Sequence, residues 1–174
     1  MSAFKPGDEV YGRPRKSRIG TLAEYIAVHE EDIWLKPQNL NFEEAASIPL
    51  VVLTTYQAFT DILDLQKGQK ILIHAGSGGV GTFAIQLAKL MGAFVATTAS
   101  DKGHELVKSM GADQIINYKQ ENFEEMLSGY DAVFDTLGGA ALEKSFRVLK
   151  PGGQSYPSLA CLTRDLEKKQ SWDG

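Results

Sequence analysis

Residues 70–91 read KILIHAGSGGVGTFAIQLAKLM. A short apolar run, Ile71-Leu72-Ile73, leads into a cluster of glycines, and the cluster leads into a run with helical spacing. Val80, Phe83, Ala84, Leu87, Ala88 and Met91 recur every three or four residues and mark one face of a helix. Gly76-Ser77-Gly78-Gly79-Val80-Gly81 matches G-x-G-x-x-G. Alone the pattern is weak, but between a strand and a helix it has a physical meaning. Gly76 reads as the tight turn. Gly78 lets backbone approach a pyrophosphate with no side chain in the way, and Gly81 allows close packing of helix on strand. Free N–H groups at the helix start, reinforced by its dipole, then hold negative charge. The competing reading is a glycine turn that binds nothing.

Downstream, apolar runs alternate with helical segments. Phe94–Thr98, Gln114–Tyr118 and Ala132–Asp135 read as further strands. His104–Met110, Asn122–Leu127 and Ala140–Leu149 read as helices. The pattern predicts an α/β fold: a Rossmann-type parallel sheet with helices on both faces. Gly92 and Gly111 stand where left-handed helix ends want glycine. Lys150-Pro151-Gly152-Gly153 stops the last helix, and Pro157 predicts an edge strand there or none. Upstream, Asn41 reads as an N-cap with Glu43 and Glu44 in the first turn, followed by a second helix over about Leu53–Leu63. The first forty residues read as strands and turns, Glu9-Val10-Tyr11 and Thr21–Val28 among them. They are too few for a core of their own. The expected division is 1–40 as a small β piece, 41–160 as the Rossmann domain and 161–174 as a polar tail.

Composition narrows the function. The chain has 174 residues, 43% hydrophobic and 23% charged, with 17 Gly and 6 Pro. That is the usage of an ordinary globular domain and excludes collagen-like, coiled-coil and disordered chains. Eighteen Lys and Arg against 22 Asp and Glu give a net charge of −4, a poor basis for general nucleic-acid binding. The basic run Arg13–Arg18 reads as a solvated loop. Cys161, the single cysteine, makes no internal disulfide and no cysteine-rich zinc site. His74 reads as a packed core residue, His29 and His104 as exposed ones. With no apolar run near the length of a membrane span and no signal-like start, the expected location is cytoplasmic.

The end of the second strand of the dinucleotide unit decides the ribose. An NAD-binding unit usually carries Asp or Glu there. This strand ends Ala96-Thr97-Thr98 and continues Ala99-Ser100-Asp101-Lys102. A hydroxyl and an ammonium suit a 2′-phosphate, which favours NADPH. Asp101 is the counter-argument, unless it is a cap or a solvated loop residue. A Rossmann-like methyltransferase also has a glycine loop, but it too uses an acid at this strand end.

The glycine loop and its surroundings resemble the medium-chain dehydrogenase/reductase superfamily, in particular its zinc-free, zeta-crystallin-like quinone oxidoreductase branch. The matching stretches are GDEVYG (7–12), GTLAEYIAV (20–28), FEEAASIPLVVLTTYQAF (42–59), KGQKILIHAGSGGVGTFAIQLAK (67–89), GADQIINY (111–118), YDAVFDTLGG (130–139) and LEKSFRVLKPGG (142–153). The resemblance implies an NADPH-dependent, zinc-independent enzyme that passes hydride to quinones or α,β-unsaturated carbonyls. It also implies a GroES-like β domain before the Rossmann domain, of which residues 1–40 are a remnant. By position, Thr54 would reach the nicotinamide or its phosphate, and Ser77, Gly78, Gly79 and Val80 would form the pyrophosphate loop. Ser100, Lys102 and Tyr118 would surround the adenosine 2′-phosphate, and Thr136 would touch the cofactor after the fourth strand. For Tyr118, packing against the next helix is an equal alternative.

A family member would carry a much larger front portion and a sixth strand, so the chain is expected to be part of one. No catalytic residue and no metal ligand are assigned. The two open readings are the cofactor half of a reductase and a non-enzymatic dinucleotide-binding module. An unpaired sheet edge further predicts self-association into a homo-oligomer.

Overall fold

The computed structural model describes residues 4–15 and 20–157. They fall into two compact units that divide between Val51 and Val52. In the first, β1 (Val10–Gly12) pairs antiparallel with β2 (Ile33–Leu35), Tyr11 opposite Trp34. Gly12 has no room for a side chain, because a Cβ there would collide with the carbonyl of Asp32. A single 3-10 turn, Glu30–Asp32, precedes β2, and His29 Nδ1 caps it by accepting from Glu31 N–H at 3.3 Å. Arg15 bridges Glu31 at 2.8 Å and Asp32 at 3.0 Å. Part of the basic run is thus tied down at the surface, while residues 16–19 lie outside the described ones.

The strand expected over Thr21–Val28 is not formed. β1 takes Ile33–Leu35 as its partner instead, and Leu22 and Tyr25 stand exposed. An alternating pattern makes a strand only where a neighbour takes its N–H and C=O groups.

Helix α1 (Phe42–Gln57) starts as expected. Glu44 N–H donates to Asn41 Oδ1 at 2.8 Å and Asn41 N–H donates to Glu44 Oε2 at 2.9 Å, a reciprocal capping box. Two helices were expected where one runs through. Pro49 removes a helical hydrogen bond without ending the helix. A wider turn, Ala58–Ile62, then closes on the Leu63 N–H to Ala58 O bond and buries Ala58 and Phe59 completely.

The second unit is built on β3 (Lys70–Ile73), β4 (Phe94–Ala99), β5 (Gln114–Asn117), β6 (Tyr130–Asp135) and β7 (Leu149–Pro157). Their order is β5-β4-β3-β6-β7 and all pairs are parallel. The crossovers carry α2 (Gly79–Leu90), α3 (Asp101–Ser109), α4 (Phe123–Met126) and α5 (Ala140–Ser145). Alternate residues of β3 enter opposite cores. Ile71 and Ile73 join Phe59, Ile85, Val95, Val107 and Phe134, while Leu72 joins Ala96, Ile116, Phe123, Val133 and Val148. A sheet covered on both faces explains the continuous apolar runs Ile71–Ile73 of β3 and Ala132–Phe134 of β6. Phe134 anchors the first core, edge-on to Phe59 at 5.4 Å and stacked on Tyr156 at 5.8 Å.

The chain end differs from the sequence pattern. The helix expected over Ala140–Leu149 stops at Ser145, and Leu149 already pairs with Tyr130 in β7. Gln154-Ser155-Tyr156-Pro157 pair with Ala132 to Asp135. Proline is tolerated because β7 is an edge of the described sheet, where one side makes no ladder. The tail 161–174 lies outside the described residues.

Both β4 and β6 neighbour β3, so the chain reverses direction across the sheet at β3 and β6. A crevice at such a reversal, beyond the carboxyl ends of the strands, is where ligands of open α/β sheets bind. The glycine cluster leaves β3 at this point.

Candidate functional site

The loop from β3 to α2 is held by backbone and by Thr98. Ala75 N–H donates to Thr98 Oγ1 at 3.1 Å, Gly76 N–H to Thr98 O at 3.0 Å, and Gly78 N–H to Ala75 O at 2.9 Å. The left-handed residue is Ala75, at φ +52°, and not Gly76. Gly76 is needed for a different reason: a Cβ there would collide with Thr97 Oγ1, whose hydroxyl is committed to Ile73 O at 2.7 Å. Gly81 behaves as expected. A Cβ on it would collide with Ala75 O and lie 2.7 Å from Gly76 Cα.

Gly78 caps α2 in extended backbone, φ −80° and ψ 167°. A Cβ on Gly79 would meet nothing within 4 Å, so the space above the helix start is open. Thr82 N–H is bonded to Gly78 O at 2.9 Å. The amides of Gly79, Val80 and Gly81 precede it and are the donors a helix start leaves without intrahelical acceptors. The first turn of α2 holds no carboxylate to compete for them. Ser77, Gly78 and Gly79 are exposed and Val80 is half-buried. This is a cradle of N–H groups, cleared of side chains and at the positive end of a helix dipole, which suits a diphosphate.

The start of α3 closes on the same loop. A Cβ on Gly103 would lie 2.6 Å from Ser77 Cβ, so the two helix starts touch. Ser100 is the N-cap residue of α3 and its side chain makes no capping bond. Lys102 is exposed in the first turn, and the exposed Tyr118 donates its N–H to Ala99 O at 3.3 Å at the end of β5. Ser100, Lys102 and Tyr118 therefore sit around the carboxyl ends of β4 and β5, beside Ser77. The Asp101 carboxylate accepts from Asn117 Nδ2 at 2.7 Å, which spends one of its oxygens on β5.

On the other side of the reversal, Thr136 Oγ1 donates to His74 O at 3.2 Å and joins the ends of β3 and β6. Its turn is shaped by the buried Asp135, whose carboxylate accepts from Leu137 N–H at 2.7 Å and Gly138 N–H at 3.1 Å. The Asp-Thr-Leu-Gly-Gly spelling, an acidic side chain folding back on its own turn, was a signal for this. Thr54 is half-buried on α1 and shares no hydrogen bond with the loop.

The residues that the sequence reading did not connect to the site are Thr98 and His74. His74 is buried, edge-on to Phe123 at 4.7 Å. Burial pushes its pKa below the ordinary histidine value and outweighs the opposing pull of the Asp135 charge. It is a neutral imidazole at pH 7.

A family described as zinc-binding dehydrogenase matches residues 79–156. Among the described residues, no group of three or more His, Cys, Asp or Glu comes together that could hold a metal ion. No described helix is long and apolar enough to cross a membrane. The chain is 44% identical over 161 residues to the 2-methylene-furan-3-one reductase of Solanum lycopersicum, covering 88% of this chain and 41% of that protein. It is 42% identical over 159 residues to the chloroplastic NADPH-dependent alkenal/one oxidoreductase of Arabidopsis thaliana, covering 87% and 40%. The solved quinone oxidoreductase of Coxiella burnetii superposes with a TM-score of 0.84 at 39% identity, over 88% of this chain and 49% of that one. The chain thus spans about 40% of the length of these curated relatives. With a five-stranded parallel Rossmann sheet, a short antiparallel sheet before it and these identities, the chain belongs to the medium-chain dehydrogenase/reductase superfamily.

Proposed function

We propose that this chain is the NADPH-binding portion of a zinc-independent oxidoreductase that transfers hydride to quinones or α,β-unsaturated carbonyls. One observation carries the reading: the start of α2 offers free amides into open space, framed by three glycines that the packing requires or leaves bare. The relatives named for reduction of alkenals and furanones, and the quinone oxidoreductase fold, support the reaction class.

In this reading Ser77, Gly78, Gly79 and Val80 hold the diphosphate. Lys102 supplies the ammonium for the adenosine 2′-phosphate, Ser100 a hydroxyl, and Tyr118 an exposed ring beside the adenosine. Asp101 keeps its negative charge, and its hydrogen bond from Asn117 holds the carboxylate against β5. Thr136 and Thr54 line the nicotinamide end. A bound nicotinamide supplies the hydride; the protein supplies placement, orienting ring and substrate carbon within reach of each other. In this reading the chain works in the cytoplasm and acts on a small molecule, not on nucleic acid or membrane.

Calorimetric titration tests this. Wild-type chain binds NADPH saturably and more tightly than NADH. Lys102→Ala loses about tenfold for NADPH, or ~1.4 kcal/mol, and stays within about twofold for NADH. Equal losses for both would remove Lys102 from the phosphate site.

The second reading is a non-enzymatic dinucleotide-binding module, which the cradle at the start of α2 would serve equally well. NADPH binding without turnover of any quinone or enone supports it. Turnover by the 174-residue chain excludes it.

A further inference from the structure

The glycine loop begins on a residue in an unfavourable conformation. Ala75 is at φ +52°, a region that side chains other than glycine rarely adopt. Such a conformation persists only where its surroundings hold it. What holds Ala75 is a chain of hydrogen bonds that leaves the loop and ends on α5. Ala75 N–H donates to Thr98 Oγ1 at 3.1 Å, and Thr98 Oγ1 lies 3.2 Å from His74 Nδ1. His74 Nε2 lies 2.8 Å from Ser145 Oγ, which donates to Ala141 O at 2.7 Å.

The proton positions follow from counting. The Ser145 proton goes to Ala141 O, so Ser145 Oγ accepts from His74 and the imidazole proton is on Nε2. Nδ1 is then an acceptor, and the Thr98 hydroxyl proton goes to it. That leaves a Thr98 lone pair for Ala75 N–H. Each donor in the chain has one acceptor. In the other tautomer Nδ1–H would point at Thr98, whose own proton would lose this partner. Phe123 packs on the ring, and Thr136 fixes the carbonyl of the same residue.

We infer that His74 is a positioning residue for the diphosphate cradle: by orienting the Thr98 hydroxyl it fixes the amide of Ala75, and with it the left-handed turn that aims the first amides of α2 into open space. This rests on the cofactor reading above and deepens it. His74 touches no ligand; it acts through Thr98 and Ala75.

The test uses the full chain and two probes, NADPH and adenosine 2′-monophosphate, which carries the 2′-phosphate but no diphosphate. Thr98→Val removes the hydroxyl at nearly constant shape, and His74→Leu removes both ring nitrogens. Each is expected to weaken NADPH about tenfold while leaving adenosine 2′-monophosphate within about twofold. Thr98→Ser, which restores the hydroxyl, and His74→Asn, which restores an acceptor near Nδ1, recover most of the NADPH affinity. Thermal melts confirm that the variants compared are folded; if His74→Leu is not, Thr98→Val against Thr98→Ser decides. An unchanged ratio of the two affinities overturns the assignment, whether both fall together or neither falls. Failure of the wild-type chain to bind NADPH overturns the cofactor reading itself and this assignment with it, and wild-type binding with an unchanged ratio overturns the assignment alone.

Discussion

At the scale of single residues, the glycines of the loop are not interchangeable. Gly81 has backbone against the place of its missing Cβ, Gly76 has Thr97 Oγ1 there, and Gly79 has empty space. Gly81→Ala therefore forces the helix off the loop and is expected to cost about 2–3 kcal/mol, read as a lowered melting temperature. Gly79→Ala leaves the melting temperature within a degree or two of wild type but puts a methyl group over the cradle, and weakens NADPH severalfold. A Gly79→Ala chain that binds like wild type would show that the diphosphate does not lie there. Sequence spacing made Gly81 legible, because close helix–strand packing follows from the motif. Gly76 lies in the tight turn that the motif implies, but the crowding that requires glycine there comes from Thr97 on a neighbouring strand, which spacing along the chain does not reveal. For the same reason Thr98 went unread: its partners, Ala75 and His74, are joined to it only by strand pairing.

At the scale of elements, the His74 chain ties β3, β4 and α5, and this gives stability a pH dependence. The folded pKa of His74 lies below its unfolded value of about 6.5. Below pH 6.5 the unfolded chain takes up the proton more readily than the folded one. This contribution is complete above that value and is lost as pH falls toward the folded pKa. Glu124, held low first by its hydrogen bond from Lys144, loses its contribution in a separate and more acid window, below 4.5. Urea unfolding is expected to show wild type losing stability between pH 7.5 and 5.5, and His74→Asn losing less. Equal pH slopes would contradict the neutral, buried assignment. Elements with a strong local signal were legible: the capping box of α1, the strand–glycine–helix unit, and the alternation of β3 to β6. Those set by tertiary pairing were not. Thr21–Val28 has the strand pattern without a partner, Pro49 sits inside a helix, and residues 154–157 form a strand because β6 offers a free side.

At the scale of the whole molecule, β5 and β7 are the edges of the described sheet. Edges with free backbone groups invite pairing with a second copy. Light scattering is expected to give a mass above that of one chain, rising with concentration; a constant single-chain mass would contradict self-association. The α/β class and the strand–helix alternation were legible from 70–157. The substrate was not, because the readable motif is one of glycines and backbone amides, which suit a diphosphate and carry no signal for a particular substrate. Whether the first amides of α2 cradle a diphosphate is decided by following backbone amide resonances during NADPH titration. Saturable shifts are expected, concentrated at residues 76–81, with a second group at 100–103 and 118. Saturable binding with shifts confined to other residues, or no shift at all, would contradict it.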